Sequence, residues 1–167
     1  MQRSLTLVLF IALSAALPMT AAAQTWTTDL LASRVIEAGV VSISENGDAV
    51  VVYVETSGDW LLRKVQVYFG EEMFPLQDNG NPKVGRFPFK KCYVEDPVSY
   101  SMVTIEEQCP LTLSEDATRI LAVHADLLNT VTQATVGAWA FGPNEFEGPR
   151  WGWWNEYDLS CSQSLQW

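Results

Sequence analysis

The sequence predicts an all-β fold, an antiparallel β-sandwich of about 7–9 strands with one long loop rich in Pro and Gly. Residues 40–70 hold three runs that are rich in Val, Ile, Tyr and Trp. Asn46 and Gly47 separate the first two runs, and a turn sequence around Gly58 separates the second from the third. Asn-Gly pairs tolerate positive φ and close tight hairpins. We therefore expect the three runs to form an antiparallel meander at the heart of the domain.

The third run, residues 60–69, has the period of a half-buried strand. Val65 and Val67 alternate with Lys64 and Gln66. Successive side chains of a strand point to opposite faces, so this alternation predicts one apolar and one more polar face. We find no segment of convincing length with the period of a helix.

The other elements are predicted in chain order from the same signals. Residues 24–33 are a lead-in with room for one helical turn. Residues 71–88 hold three Pro and two Gly, and because Pro cannot donate to a ladder we expect them to form the long loop, or else a strand interrupted by turns. Residues 118–128 are expected to be a central strand. The predicted strands are 35–44, 49–56, 60–69, 89–94, 98–106, 118–128, 135–141 and 155–161, with 89–94 and 98–106 paired as a hairpin.

The first residues have the three parts of a signal peptide. Arg3 gives a positive start, residues 5–17 are an apolar run, and Ala21 and Ala23 form a small-residue cleavage site. Residues 1–23 are therefore predicted to be a signal peptide, with residues 24–167 as a single β-sandwich domain. The expected location is secreted or extracellular, or else periplasmic.

The charge balance excludes some partners. The chain has 20 acidic and 10 basic residues, a net charge of −10. Phosphate binding needs clustered Lys and Arg, so we expect no nucleic-acid partner. After the signal peptide, no segment is apolar enough to predict a transmembrane helix.

Three cysteines follow the predicted signal peptide: Cys92, Cys109 and Cys161. In an oxidising compartment we expect a disulfide between Cys92 and Cys109, because they flank a hairpin-like stretch. The alternative pairing is Cys109 with Cys161. In the first arrangement Cys161 is left over and is able to link two chains as a dimer. A zinc site is not indicated, since the chain has one His and no C-x-x-C sequence.

Several phrases of the sequence resemble one uncharacterised β-sandwich module of secreted and cell-surface proteins, mainly bacterial and in some cases from marine eukaryotes. The resemblance extends over residues 33–159, and it is carried by NGDAVVVYVETSGDWLLRKVQVYFG, NGNPKVGRFPFK, LAVHA and AWAFGPNEFEGPRWGWW. It implies a secreted β-sandwich, and it brings no known catalytic or ligand-binding residues with it.

Two patterns bear on catalysis. His124 lies two residues from Asp126 on one face of a predicted strand, as a general base and its carboxylate would. The sequence has no nucleophile elbow, so we expect His124 to be structural. Paired carboxylates such as Glu145 and Glu147 are the groups of a glycoside hydrolase, but most such pairs lie at turns, where acidic side chains stay solvated.

A calcium site is the weak metal candidate. Asp78, Asn79 and Asn81 offer short oxygen ligands beside Gly80. The spacing of an EF-hand loop is absent, and an Asn-Gly-Asn-Pro string is more typical of a turn. We expect no cofactor, with a structural Ca²⁺ as the alternative.

Aromatic side chains are the strongest sign of a binding surface. Rigid exposed rings stack on the faces of sugars, so a cluster of them predicts a glycan platform. The alternative is that the same rings close the sandwich as core, because Trp buries a large area. The candidate ligand-binding residues are Trp151, Trp153, Trp154, Tyr157, Phe87 and Phe89.

The function predicted from these observations is a secreted, non-enzymatic binding or structural module that recognises an extracellular carbohydrate or matrix polymer. A glycoside hydrolase that uses paired carboxylates is one alternative. A small outer-membrane β-barrel is another, since the chain is long enough for about eight strands. The Pro-rich loop and the lack of regularly spaced aromatic residues argue against that second alternative.

Overall fold

The computed structural model describes residues 25–46, 49–106 and 117–159, so the predicted signal peptide lies outside the described residues. The described residues form ten β-strands and one 3₁₀ helix, Val84–Arg86, which confirms the all-β prediction. No helix in these ranges is long and apolar enough to cross a membrane. The strands are β1 Thr25–Ala32, β2 Ile36–Asn46, β3 Ala49–Thr56, β4 Trp60–Gly70, β5 Phe89–Cys92, β6 Tyr100–Glu106, β7 Ala117–Asn129, β8 Thr135–Ala140, β9 Asn144–Glu145 and β10 Trp153–Leu159.

The strands form one curled antiparallel sheet. Eight strands follow in the order β5-β4-β7-β8-β1-β2-β3-β6, and β10 pairs with β7 and β9. The two ends of this order come together, because Leu62 of β4 forms a bridge with Val98 just before β6. Tyr93 Oη lies 2.9 Å from Ser101 Oγ across the same junction. Closure of this kind protects strand edges from unwanted pairing.

The inner face of the sheet carries the main core. Aliphatic side chains of the long strands point inward at alternate positions, and Ile43, Val52, Val67 and Leu127 are fully buried. Burying each such side chain contributes about 1.5–3 kcal/mol. The period-2 pattern predicted from the sequence is thus the pattern that builds the core.

The predicted meander is wrong at its third strand. β2 and β3 pair as expected, with Asn46 opposite Ala49. β4 pairs instead with β7 and β5, and β6 occupies the other edge of β3. β4 and β7 are 11 and 13 residues long, whereas β3 has 8 residues. The pairing with β7 therefore gives β4 a longer ladder than its neighbour in sequence offers.

Two other local predictions are also wrong. The segments 89–94 and 98–106 do not pair as a hairpin, because β5 and β6 stand at opposite ends of the strand order. The lead-in is not a helical turn, because β1 pairs with both β2 and β8. Leu30 and Ala32 are fully buried on that strand, so the segment is held extended by its place in the middle of the sheet.

A second hydrophobic cluster lies on the outer face of the sheet, where loop 71–88 and segment 141–152 cover β7 and β8. We call it the outer aromatic cluster. Its edge-to-face ring contacts include Trp139 with Phe146 at 4.7 Å and Phe74 with Phe146 at 5.4 Å. The cluster fixes both segments against the sheet and so positions the site described next. Its buried members are Phe74, Phe87, Ala122, Trp139, Phe146 and Trp153.

Candidate functional site

A half-open cavity of about 450 Å³ lies beside the outer aromatic cluster. Its walls come from the turn after β1, the loop 71–88, the strands β7 and β8, and the segment 141–152. Aromatic walls with a few converging polar groups are the usual form of a small-ligand site. The lining residues are Ser33, Pro82, Val84, His124, Gly137, Trp139, Pro149, Arg150 and Trp151.

The floor of the cavity is built by two neighbouring strands. His124 of β7 stands opposite Trp139 of β8, and their rings meet edge to face at 4.7 Å. Gly137 precedes Trp139 by two residues and so faces the same side of the sheet. A Cβ atom on Gly137 would lie 3.3 Å from His124 Nε2. Because residue 137 has no side chain, no atom of that residue covers the Nε2 edge of the imidazole where both residues line the cavity.

A chain of hydrogen bonds assigns the proton on the imidazole. Gln66 donates from Nε2 to the carbonyl of Val84 at 2.9 Å, which leaves its Oε1 as an acceptor. That oxygen lies 3.3 Å from His124 Nδ1, so Nδ1 carries the proton and donates. Nε2 is then the unprotonated nitrogen, and it accepts a hydrogen bond from any donor that enters the cavity.

Burial keeps the imidazole neutral. Burial lowers the pKa of His124 to about 4. The Asp126 carboxylate acts to raise this pKa, and the Lys64 ammonium acts to lower it further. A group with so low a pKa is a weak general base at neutral pH, because efficient bases have a pKa near the working pH. His124 is therefore suited to accepting a hydrogen bond from a ligand.

The outer wall depends on contacts between two loops. Asn81 is 2% exposed, and its Oδ1 accepts the backbone N–H of Arg150 at 2.9 Å. A Cβ atom on Gly148 would lie 2.4 Å from the same oxygen, so the loops approach only because that residue has no side chain. Trp151 follows at the wall and is half-buried, with its ring edge to face against Trp153 at 5.7 Å.

Three of the predicted aromatic residues are buried. Phe87, Trp153 and Tyr157 have exposed fractions of 0%, 8% and 5%, so they present no ring face to solvent. Tyr157 belongs to the main core, and its Oη donates to Glu45 Oε1 at 3.0 Å. Burial, with this hydrogen bond, raises the pKa of Tyr157. For these three rings, the structure agrees with the alternative interpretation of the sequence, in which they are part of the core.

The other three predicted aromatic residues are half-buried and do not share one surface. Phe89 packs against the main core, while Trp151 and Trp154 pack against the outer aromatic cluster. Trp154 meets Phe74 edge to face at 6.5 Å. Trp151 lines the cavity, and none of the other five predicted aromatic residues is among its described lining residues.

Two of the three calcium candidates, Asn79 and Asn81, accept hydrogen bonds from backbone N–H groups. Asn79 Oδ1 accepts the backbone N–H of Asn81 at 3.2 Å, which is typical of an Asx turn. Asp78 and Asn79 line a depression that also contains Lys83, whose ammonium disfavours a bound cation. Within the ranges that the structure describes, no group of three or more His, Cys, Asp or Glu residues is placed to hold a metal.

Of the three cysteines in the disulfide prediction, Cys92 is among the described residues. Cys92 ends β5 and is exposed. Cys109 and Cys161 lie outside the described residues, so the pairing of Cys92 with Cys109 and the dimer through Cys161 stay predictions. The hairpin that motivated the pairing is not formed, since β5 and β6 are not sheet neighbours.

Sequence reasoning missed most of the cavity. Ser33 and Arg150 gave no local signal, because they reach the site through loops from distant parts of the chain. Gly137 did carry one, since an isolated Gly inside a strand often marks a place where another group approaches closely. Comparison with known proteins found no matching family model, no similar curated protein and no similar solved structure.

Proposed function

We propose that this chain is a secreted, non-enzymatic module that binds an extracellular carbohydrate or matrix polymer in the cavity beside Trp151. The observation that carries the proposal is the meeting of a half-buried Trp ring, a neutral His acceptor and an Arg at one half-open cavity. A sugar ring has a C–H face that packs on an aromatic ring, and hydroxyl groups that need polar partners. Both kinds of partner line this cavity.

The dimensions and chemistry of the cavity support a small ligand or one unit of a polymer. Its volume of about 450 Å³ falls within the usual range for ligand sites. His124 Nε2 accepts from a hydroxyl, and the Ser33 hydroxyl either donates or accepts. Trp139 is 6% exposed, and it supports the floor by packing against His124.

The secreted location is proposed from the sequence of residues 1–23. An apolar run of that length, after a positive residue and before a small-residue site, is typical of a signal peptide. Outside the cell, glycans and matrix polymers are abundant partners for such a module.

The test is a glycan and polysaccharide array with the purified protein, followed by calorimetric titration of the glycans that bind. Trp151→Ala is expected to weaken binding at least about tenfold, because it removes the stacking surface. Gly137→Ala places a methyl group 3.3 Å from His124 Nε2. It should weaken glycan binding by obstructing the hydrogen bond between Nε2 and a ligand hydroxyl. The control is Tyr100→Ala, an exposed aromatic residue on β6 that is not among the lining residues.

Three results would decide against the proposal. Binding to no member of the array, or binding that Trp151→Ala leaves unchanged, removes the cavity as a glycan site. Release of shortened sugar products would favour the glycoside hydrolase alternative.

A further inference from the structure

The charge of the cavity is opposite to the charge of the chain. The whole sequence has twice as many acidic as basic residues, 20 against 10. Among the described residues that line the cavity, Arg150 is charged and there is no Asp or Glu. A positive group at the mouth of a cavity with low-dielectric walls attracts anionic ligands.

Arg150 is held in place by its backbone while its side chain is exposed. The Asn81 Oδ1 atom fixes the Arg150 N–H at 2.9 Å, so the start of the side chain has a defined position. Within the described ranges, no carboxylate lies within ion-pair distance of its guanidinium. Glu145, five residues before Arg150 in the sequence, pairs with Arg34. The guanidinium is therefore available for a ligand.

The neutral His124 restricts which anions fit the cavity, because the ligand must also carry a hydrogen-bond donor. Its Nε2 atom accepts hydrogen bonds, so the ligand group beside it must be a donor. A fully ionised sulfate or phosphate has only acceptor oxygens and does not match this side of the cavity. A sugar that has one carboxylate and several hydroxyl groups matches both sides.

We propose that the ligand is an acidic sugar, a uronic acid unit of a polysaccharide. Arg150 binds its carboxylate through two parallel N–H···O bonds, Trp151 packs on its ring face, and His124 Nε2 accepts one of its hydroxyl protons. This inference rests on the proposed carbohydrate-binding function and specifies its substrate class.

The experiment compares matched ligands. Short oligomers of galacturonate, glucuronate and mannuronate are titrated as free acids and as methyl esters, which keep the ring and remove the charge. At least one free acid should bind about tenfold or more tightly than its ester. Arg150→Gln should remove that preference, and Arg150→Lys should restore only part of it, because Lys lacks the planar pair of donors.

Two exposed residues provide a matched control and a variant of opposite charge change. Lys91→Gln makes the same charge change on β5, outside the lining residues, and should leave the preference intact. Glu147→Gln removes an exposed carboxylate three residues before Arg150 in the sequence and should tighten acid binding by a few-fold, because it removes a negative charge that repels the ligand.

The outcomes separate this inference from the proposed function. Equal binding of acids and esters, abolished by Trp151→Ala, keeps the carbohydrate site and overturns the acidic-sugar inference. Acid preference that survives Arg150→Gln also overturns it. Binding of no acid, ester or neutral glycan removes the function itself, and the inference with it.

Discussion

His124 Nδ1 lies 3.3 Å from Gln66 Oε1, so an amide on β4 fixes the tautomer of the chain's one imidazole, with the proton on Nδ1. The two residues stand opposite each other in the ladder between β4 and β7. Gln66 is 3% exposed and is itself bound to the carbonyl of Val84. The loop, the strand and the imidazole are thus joined by one hydrogen-bond chain at the floor of the cavity.

The neutral imidazole predicts that stability falls in mild acid. The pKa of His124 is lowered from 6.5 to about 4 in the folded protein, so between these values the unfolded chain binds more protons. The contribution of His124 is complete above pH 6.5 and is lost as the pH falls towards 4, by up to about 3 kcal/mol. Urea unfolding of the wild type and His124→Gln from pH 4 to 8 measures it. Identical pH dependence in the two proteins would contradict the assignment.

Truncating the tryptophans separates packing from binding. Trp153 is 8% exposed in the outer aromatic cluster, so Trp153→Ala should cost roughly 3–5 kcal/mol of stability. Trp151→Ala and Trp154→Ala remove half-buried rings and should shift the melting temperature less. Of these two, Trp151→Ala alone is expected to weaken glycan binding. If all three variants unfold, the aromatic wall is structural and the binding proposal at this site fails.

Gly152 is expected to tolerate no side chain. A Cβ atom there would lie 2.4 Å from Phe146 Cε2 and 2.8 Å from Trp139 Cε2. Gly152→Ala should therefore destabilise the protein by roughly 1–3 kcal/mol and loosen the cavity wall. Gly85→Ala is the matched control, since no heavy atom lies within 4 Å of its added Cβ. Equal melting temperatures for the two variants would show that the close packing at Gly152 is absent.

The cysteine pairing is tested by peptide mapping without reduction. We expect a peptide pair that links Cys92 to Cys109, worth roughly 3 kcal/mol in the chain-entropy model. Cys92→Ser and reduction should then lower the melting temperature by similar amounts. A peptide that joins Cys161 to either residue would replace this pairing with another.

The predicted signal peptide has a direct test. Cleavage after Ala23 leaves Gln24 as the first residue, give or take one position. Edman sequencing or intact mass of protein collected from the medium or periplasm measures the new terminus. Secreted protein that still begins at Met1 would refute the prediction.

The all-β class was predictable from sequence because it depends on local pattern. Alternating apolar residues, as in Val65 to Phe69, and turn formers at Asn46 and Gly47 report directly on strand faces and strand ends. The central strand β7 was likewise predicted from its own apolar composition. These signals need no knowledge of which strand lies next to which.

Strand partners and ring burial were decided by the tertiary structure. β4 pairs with β7 and not with its sequence neighbour β3. This pairing depends on the lengths and free edges of strands that are distant in the sequence. The same aromatic residues could have formed a platform or a core, and packing against the outer face buried Trp153 and left Trp151 at the cavity. Ser33, His124 and Arg150 meet only after the sheet has curled and two loops have crossed it. The local sequence determines which side chains favour burial. The tertiary structure decides which of them are buried, because the covered inner and outer faces of the sheet have room for only some of these side chains.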